Sequence, residues 1–382
     1  MRPVETGAVP PQYLYNIEVT PNLQLEESLN RARLHAFPRS PAVAALYNRS
    51  TLTPLQSLGA VLLLRGGFLP PLLNVANPPT PQRIELALPT LGRYVENIYQ
   101  TAAPLLGDRL GKFCCYCDQP LAGQIAVEHV LPKAYYPLYA IAWGNFLLAC
   151  EMCNSNKLSK PSRAEMDAWP GNPPFGHQEA VRYTTMRAHY LWPDTSPGVY
   201  TNYRPQLFKK QGQNWIQAQA NEALGGRITQ SVLSTRAVRA WLPGLPLGQD
   251  VEVQARMVPQ GNPAEASHTL LGLQKDGTEQ DKKISDTRMF NRTIAWFRAQ
   301  KFLGPAIRAA IAGEPSFGEK WEAVLAAAPA IGYFPVWLQL LEFYNAGQVN
   351  VPGVQPQTNV GEYFLQQTNV NGIFPNTRRG GL

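Results

Sequence analysis

Apolar residues recur at helical spacing in several stretches of the chain. Tyr94, Ile98, Ala102 and Leu105 share one face of a helix predicted from about Leu91 to Leu106. The periodicity is again helical from Gln217 to Ala240 and from Ser285 to Ala312, where Met289, Ile294, Trp296 and Phe297 stand among Arg288, Arg292 and Arg298. The most apolar window, Ala323 to Leu341, approaches the length of a membrane span. Pro329, Gly332 and Pro335 break it and Glu322 and Glu342 flank it, so it predicts two buried helices meeting at a kink. Shorter helices are expected over Leu23–Leu34 and around Leu55–Leu64. The latter lies in a proline-rich stretch, residues 36–85, with Pro70-Pro71 and Pro78-Pro79, which reads as an insertion packed on the core. Ala164 to Tyr203 is aromatic and proline-rich and predicts loops and short strands.

These patterns divide the chain into an N-terminal helical segment with its proline-rich insertion (1–106), a central module (107–165), a mainly helical C-terminal region (166–345) and a tail (346–382). The tail is rich in Gly, Asn and Gln, ends near Arg378-Arg379-Gly380-Gly381 and is expected to be partly disordered. At 382 residues and 45% hydrophobic content, a substantial core is available. Met1-Arg2-Pro3-Val4-Glu5 lacks the apolar run of a secretory signal, so the expectation is a cytoplasmic protein without a membrane anchor. Lys and Arg exceed Asp and Glu by 34 to 27, a charge of +7 that suits a polyanionic partner without demonstrating one. Five cysteines are too few for a disulfide framework, and four of them form two C-x-x-C pairs, which points to metal.

Those pairs are Cys114/Cys117 and Cys150/Cys153, and four thiolates fill a tetrahedral zinc shell with no open position, so this zinc would be structural. The 32 residues between the pairs, 118 to 149, are more than a simple ribbon needs and contain Val127-Glu128-His129-Val130-Leu131-Pro132. Ile125–Val127 is short and apolar enough for a buried strand projecting Glu128 and His129 from its end, and Pro132 closes it. Asn145–Ala149 forms a second short strand, and a helix opens near Asn154 and runs to about Lys160.

This strand, strand, helix order with its residues resembles the HNH endonuclease family, the ββα-metal fold in its four-cysteine zinc subtype. The resemblance covers some 45 to 50 residues of the chain. It implies an α+β fold, with a ββα-metal module embedded in a mainly helical body. By resemblance, Cys114, Cys117, Cys150 and Cys153 bind zinc, and His129 is the general base. Glu128, where many relatives have aspartate, and Asn154 bind a catalytic Mg2+ or Mn2+. Asn145 ties the connecting loop to the motif, and Lys157 faces phosphate. More loosely, the opening Met1-Arg2-Pro3-Val4, Tyr190-Leu191-Trp192-Pro193-Asp194, Leu271-Gly272-Leu273 and Asp286 to Trp296 resemble a subgroup of bacterial HNH proteins often found in antiphage defence loci. Some of those, as in Septu-type systems, work beside an ATPase subunit. The proline-rich insertion before the motif is longer here than in that subgroup.

The chemistry agrees with the residue types. A neutral imidazole can take a proton from water near pH 7, where a carboxylate is a weak base and a lysine is charged. A hard cation on oxygen ligands neutralises charge gathering on a phosphoryl group. The expected activity is phosphodiester hydrolysis leaving 5′-phosphate and 3′-hydroxyl ends, on DNA by preference. RNA, transfer RNA included, is the second reading, and a zinc-stabilised nucleic-acid-binding module without turnover is the third. Several residues keep two readings. Cys115 is a spare buried thiol or a substitute ligand. Lys133 and Lys160 touch phosphate or are solvated. Arg288, Arg292 and Arg298 line a nucleic-acid groove, or form a solvated face or partner contact. His35, His177, His189 and His268 show no ligand spacing, and Trp192, Trp296, Trp321 and Trp337 read as core.

Overall fold

The structure, a computed structural model, describes residues 6, 10, 99–121, 125–133, 143–169, 179–194, 196, 199–234, 236–273, 286–354, 357–375 and 377. The helices expected over Leu23–Leu34 and Leu55–Leu64, the proline-rich insertion, the start of the Leu91–Leu106 helix and the closing Arg378-Arg379 lie outside the described residues. The chain is mixed helix and sheet, an α+β protein, and divides into two compact units.

One unit comprises Thr6–Arg109 and Gln124–Met186. Helix α1 (Ala102–Leu110) turns Ala102 and Leu106, one helical turn apart, into its core. Two four-residue strands, β1 (Ala126–His129) and β2 (Phe146–Ala149), pair antiparallel, with Glu128 opposite Leu147 and His129 opposite Phe146. All four residues of β2 are buried, which explains an unbroken apolar run in place of alternation. Helix α2 (Glu151–Lys157) follows directly, and Cys150 is its N-cap: the Sγ accepts from the Cys153 N–H at 3.4 Å. Ser162 and Glu165 form a reciprocal capping box on α3 (Arg163–Asp167), and α4 (Glu179–His189) ends the unit's share of helix.

The other unit comprises Met1–Glu5, Leu110–Gly123 and Arg187–Leu382. Its centre is a five-stranded antiparallel sheet built from β3 (Tyr203–Gln211), β4 (Asn214–Gln217), β5 (Arg227–Val232), β6 (Ala237–Trp241) and β7 (Val251–Pro259), with helix α5 (Ala220–Gly225) between β4 and β5. The spatial order is β4-β3-β7-β6-β5, with a register shift in β5 between Ile228 and Gln230. Along β3 the side chains of Tyr203 and Leu207 are buried while Arg204, Gln206 and Phe208 are only half-buried, the period-2 pattern of a sheet covered on one side. After β7 come α6 (Asn262–Leu270), the 25-residue α7 (Arg288–Ala312), α8 (Phe317–Ile331), α9 (Phe334–Phe343) and α10 (Val360–Val370).

Helix α7 is the spine of this unit. Its Trp296 is fully buried and donates to Ala223 O at 3.0 Å. Pairing of β6 with β7 ends at Val253, and beyond it the Ala255 N–H finds Thr293 Oγ1 at 2.8 Å, so a helix side chain replaces the missing ladder partner. Arg288 is buried as well. It pairs with Asp286 and donates to Leu271 O at 2.8 Å and Gly272 O at 2.9 Å, closing the turn after α6. His268 on α6 meets the Tyr203 hydroxyl at 2.5 Å through Nδ1; burial, aided by the Arg292 and Arg288 charges, lowers its pKa to about 4, so the ring is neutral.

Several expectations are corrected here. The helical periodicity of Gln217–Ala240 resolves into α5 followed by β5 and β6, so the body is not mainly helical but carries a sheet. Ala164 to Tyr203, expected as loops and short strands, contains α3, α4 and a helical turn at Val199–Asn202. Within the tail lies α10, whose N-cap Asn359 accepts from the Glu362 N–H at 2.8 Å. Arg288 and Arg292 line no groove, because both are buried in the core; of that series Arg298 alone is exposed. The two helices expected in Ala323–Leu341 are α8 and α9, and no helix among the described residues is long and apolar enough to cross a membrane.

The α8–α9 turn packs tightly against the loop after the first cysteine pair. Gly332 has φ +64°, and a Cβ there would fall 2.6 Å from Pro120 Cδ and 3.0 Å from Asp118 O, while the next N–H, of Tyr333, donates to that same oxygen at 2.8 Å. Gly332→Ala is therefore expected to destabilise the protein by about 1–3 kcal/mol, read as a lowered urea midpoint of the full chain.

Candidate metal centre and histidine site

The first cysteine pair sits on a tight turn. Asp118 N donates to Cys114 O at 2.8 Å, Cys114 N donates to Gln119 O at 3.0 Å, and Asp118 takes φ 60° to close it. The second pair straddles the start of α2, with Cys150 as cap and Cys153 within its first turn. The ligating sulfurs of Cys114, Cys117, Cys150 and Cys153 all lie within 4.8 Å of one another, all four residues are buried, and none forms a disulfide. Zn–S bonds of about 2.3 Å in a tetrahedron put sulfurs roughly 3.8 Å apart, so an ion needs only a small inward adjustment. The donor set fits a structural zinc. Cys115 is buried and stands outside this set of four.

His129 and Glu128 close strand β1, and both are buried. The imidazole is held edge-on between two rings, Tyr99 at 4.7 Å and Phe146 at 5.3 Å between centroids. Its backbone carbonyl accepts from Lys157 Nζ at 2.7 Å. That ammonium is fully buried and also lies 2.6 Å from Glu128 Oε1, an ion contact without hydrogen-bond alignment at that oxygen. Lys157, which the resemblance sets against phosphate, thus spends its charge inside the module and ties the last turn of α2 to the end of β1. Asn145 is also buried. Its Oδ1 accepts from Leu131 N at 2.7 Å and its Nδ2 donates to Leu131 O at 3.1 Å, while its own carbonyl accepts from Val130 N at 3.0 Å. The residues after the histidine are clamped by one amide side chain.

Asn154 is half-buried on α2 and borders a cleft of about 610 Å³ together with Tyr99, Gln100, Val127 and Glu151. Glu128 does not line this cleft. A hard cation shared by Glu128 and Asn154 would need a carboxylate that Lys157 already neutralises, and would stand beside its ammonium. As arranged, this pair does not fit a magnesium or manganese site.

Tyr99 was not marked by the sequence pattern and links the histidine to the cleft. It lines the cleft, packs on His129, and receives Lys133: the Nζ donates to the phenol oxygen at 2.7 Å and lies 4.4 Å from the ring centroid. Lys133 is thereby bound to a tyrosine, whereas Lys160 is exposed. His35 and His177 lie outside the described residues. In comparisons with protein-family models, with characterised proteins and with solved structures, nothing matches the chain.

Removing the buried ammonium leaves a buried carboxylate uncompensated. Lys157→Met is expected to cost about 3–5 kcal/mol, and adding Glu128→Gln should recover more than half of that loss, measured as a double-mutant cycle in urea. Cys150→Ser removes a sulfur and a helix cap together. It should abolish stoichiometric zinc in the purified protein and lower its melting temperature, both read on one preparation by metal analysis and calorimetry.

Proposed function

We propose that the segment from Cys114 to Lys160 is a zinc-stabilised nuclease module of the HNH type, hydrolysing nucleic-acid phosphodiesters, DNA by preference, with His129 as general base. The observation that carries this reading is the reach of Lys157 from α2 to the His129 carbonyl and Glu128. It draws the helix bearing Asn154 to the strand end bearing the imidazole. Asn154 lies three residues before Lys157, so both share one face of α2. Buried thiolates able to hold a structural zinc beside this strand, strand, helix order are the second support.

In this reading the imidazole of His129 takes a proton from the attacking water as its oxygen forms a bond to phosphorus. The bond from phosphorus to the 3′ oxygen breaks, that oxygen takes a proton from a solvent water, and the products are a 5′-phosphate and a 3′-hydroxyl. Tyr99 and Phe146 hold the ring, and the Asn145 clamp on Leu131 fixes the chain beyond it. The resemblance implies a divalent cation for such chemistry; no ligand role is assigned to Glu128 or Asn154. The looser resemblance to antiphage-defence proteins supports an ATPase companion for the same chain.

One observation favours a different reading. His129 is only 7% exposed, as a histidine would be in a zinc-stabilised binding module without turnover. Incubating the purified protein with plasmid, single-stranded DNA and total RNA, with Mg2+ or Mn2+ and then with chelator, separates the two. Cleavage reduced at least 100-fold in His129→Ala, in a chain that circular dichroism shows to be still folded, is the expected result. No cleavage of any substrate by the wild-type chain would leave the binding module standing.

A further inference from the structure

The sheet of the second unit has one face against α7 and one that carries a different chemistry. Register fixes which side chains share the outer face. Lys210 is opposite Trp215 on β4, Lys209 is opposite Val253 on β7 and so Lys210 opposite Glu252, Glu252 is opposite Arg239 on β6, and Arg239 is opposite Gln230 on β5. One row of side chains, Trp215, Lys210, Glu252, Arg239 and Gln230, therefore crosses all five strands, roughly 19 Å at about 4.8 Å per strand. The neighbouring row holds Phe208 between Gln217 and Gln254, and the next pairs Gln206 with Arg256.

Rings and cations interleave across these rows. The Arg256 guanidinium lies 4.7 Å from the Trp215 ring centroid and 5.2 Å from that of Phe208, and Lys210 lies 6.0 Å from Trp215 on its other neighbour strand. Arg256 is oriented by two hydrogen bonds to Gln254 Oε1, at 2.8 and 2.6 Å. At the far edge Arg227 stands 5.5 Å from the Trp241 ring, and among the described residues no carboxylate is in ion-pair range of it. Among the described residues Arg204, Lys210 and Arg239 are paired with Glu342, Glu252 and Asp250, and Arg227 adds a cation beyond these pairs. Lys210, Gln217, Arg227 and Gln230 are exposed, and the middle of the face carries rings, guanidinium groups and amides.

The geometry points to this outer sheet face as a binding surface for single-stranded nucleic acid. Flat rings offer stacking to unpaired bases, the guanidinium and ammonium groups meet phosphates, and the amides of Gln206 and Gln217 meet base edges. A duplex hides its bases and cannot use the rings. The inference stands on the second unit alone and does not need the nuclease reading.

The test is fluorescence anisotropy of labelled 15-nucleotide DNA and RNA single strands, and of the matching duplex, with the full chain in chelator so that no cleavage contributes. Single strands of at least one of the two kinds should bind at least tenfold more tightly than the duplex. Trp215→Ala should weaken that binding about tenfold or more, the loss of one base–ring stack, and Arg227→Glu should weaken it and flatten its salt dependence. Both changes lie on an exposed face, and an unchanged melting temperature confirms that the fold survives. Equal affinity for duplex and single strand, or affinity unmoved by both substitutions, overturns the inference. So does a concentration-dependent dimer that Trp215→Ala dissolves, which would assign the face to a second copy of the chain.

Discussion

An ammonium group without water around it must be matched by oxygen, and Lys157 is matched twice, by the Glu128 carboxylate and the His129 carbonyl. Leaving such a charge unmatched in an interior costs several kcal/mol. The match dictates the rest of the module. The last turn of α2 has to meet the end of β1, β2 has to run alongside to cover the strand, and the loop after His129 has to return where the Asn145 amide can clamp it. Two short strands and a seven-residue helix bury too little apolar surface to enforce this geometry alone. Polar constraints supply it: the ion pair at one end of α2, and the sulfur cap with the thiolate cluster at the other.

How much of this could be read from the sequence depends on which force sets each position. The cysteine spacing is legible because tetrahedral thiolate binding admits few spacings. The strands were legible because Ile125–Val127 and Phe146–Ala149 are apolar runs stopped by Pro132 and a cysteine. The direction of Lys157 was not legible, since a lysine near a helix end is ordinarily solvated and only the tertiary position of Glu128 turns it inward. Tyr99 was missed because the predicted face of the first helix ran through Leu105, while the buried one runs through Tyr99, Ala102 and Leu106.

The sheet was hidden for a different reason. Leu224, Ile228 and Val232 recur at four-residue spacing, which imitates a helix, although the chain changes from helix to strand midway. The signal that was available is the pair Gly225-Gly226. A Cβ on Gly226 would come within 2.7 Å of Leu242 and 2.8 Å of Phe297, so the glycine marks the point where the strand leaves the helix and presses against α7. Arg288 and Arg292 misled in the opposite sense. Their charges suggested surface, but Asp286 and the carbonyls at the end of α6 absorb the first, and the Tyr333 ring at 5.9 Å flanks the second.

Among the described residues the order β4-β3-β7-β6-β5 leaves two strands with an open side, and neither invites a neighbour. β4 is four residues long, and β5 is irregular between Ile228 and Gln230, with an unopposed guanidinium at its start. Short length, a bulge and a lone cation are the devices by which sheets resist growth into fibrils. Such edges discourage sideways polymerisation of the chain through the main-chain groups of these five strands, even at high local concentration.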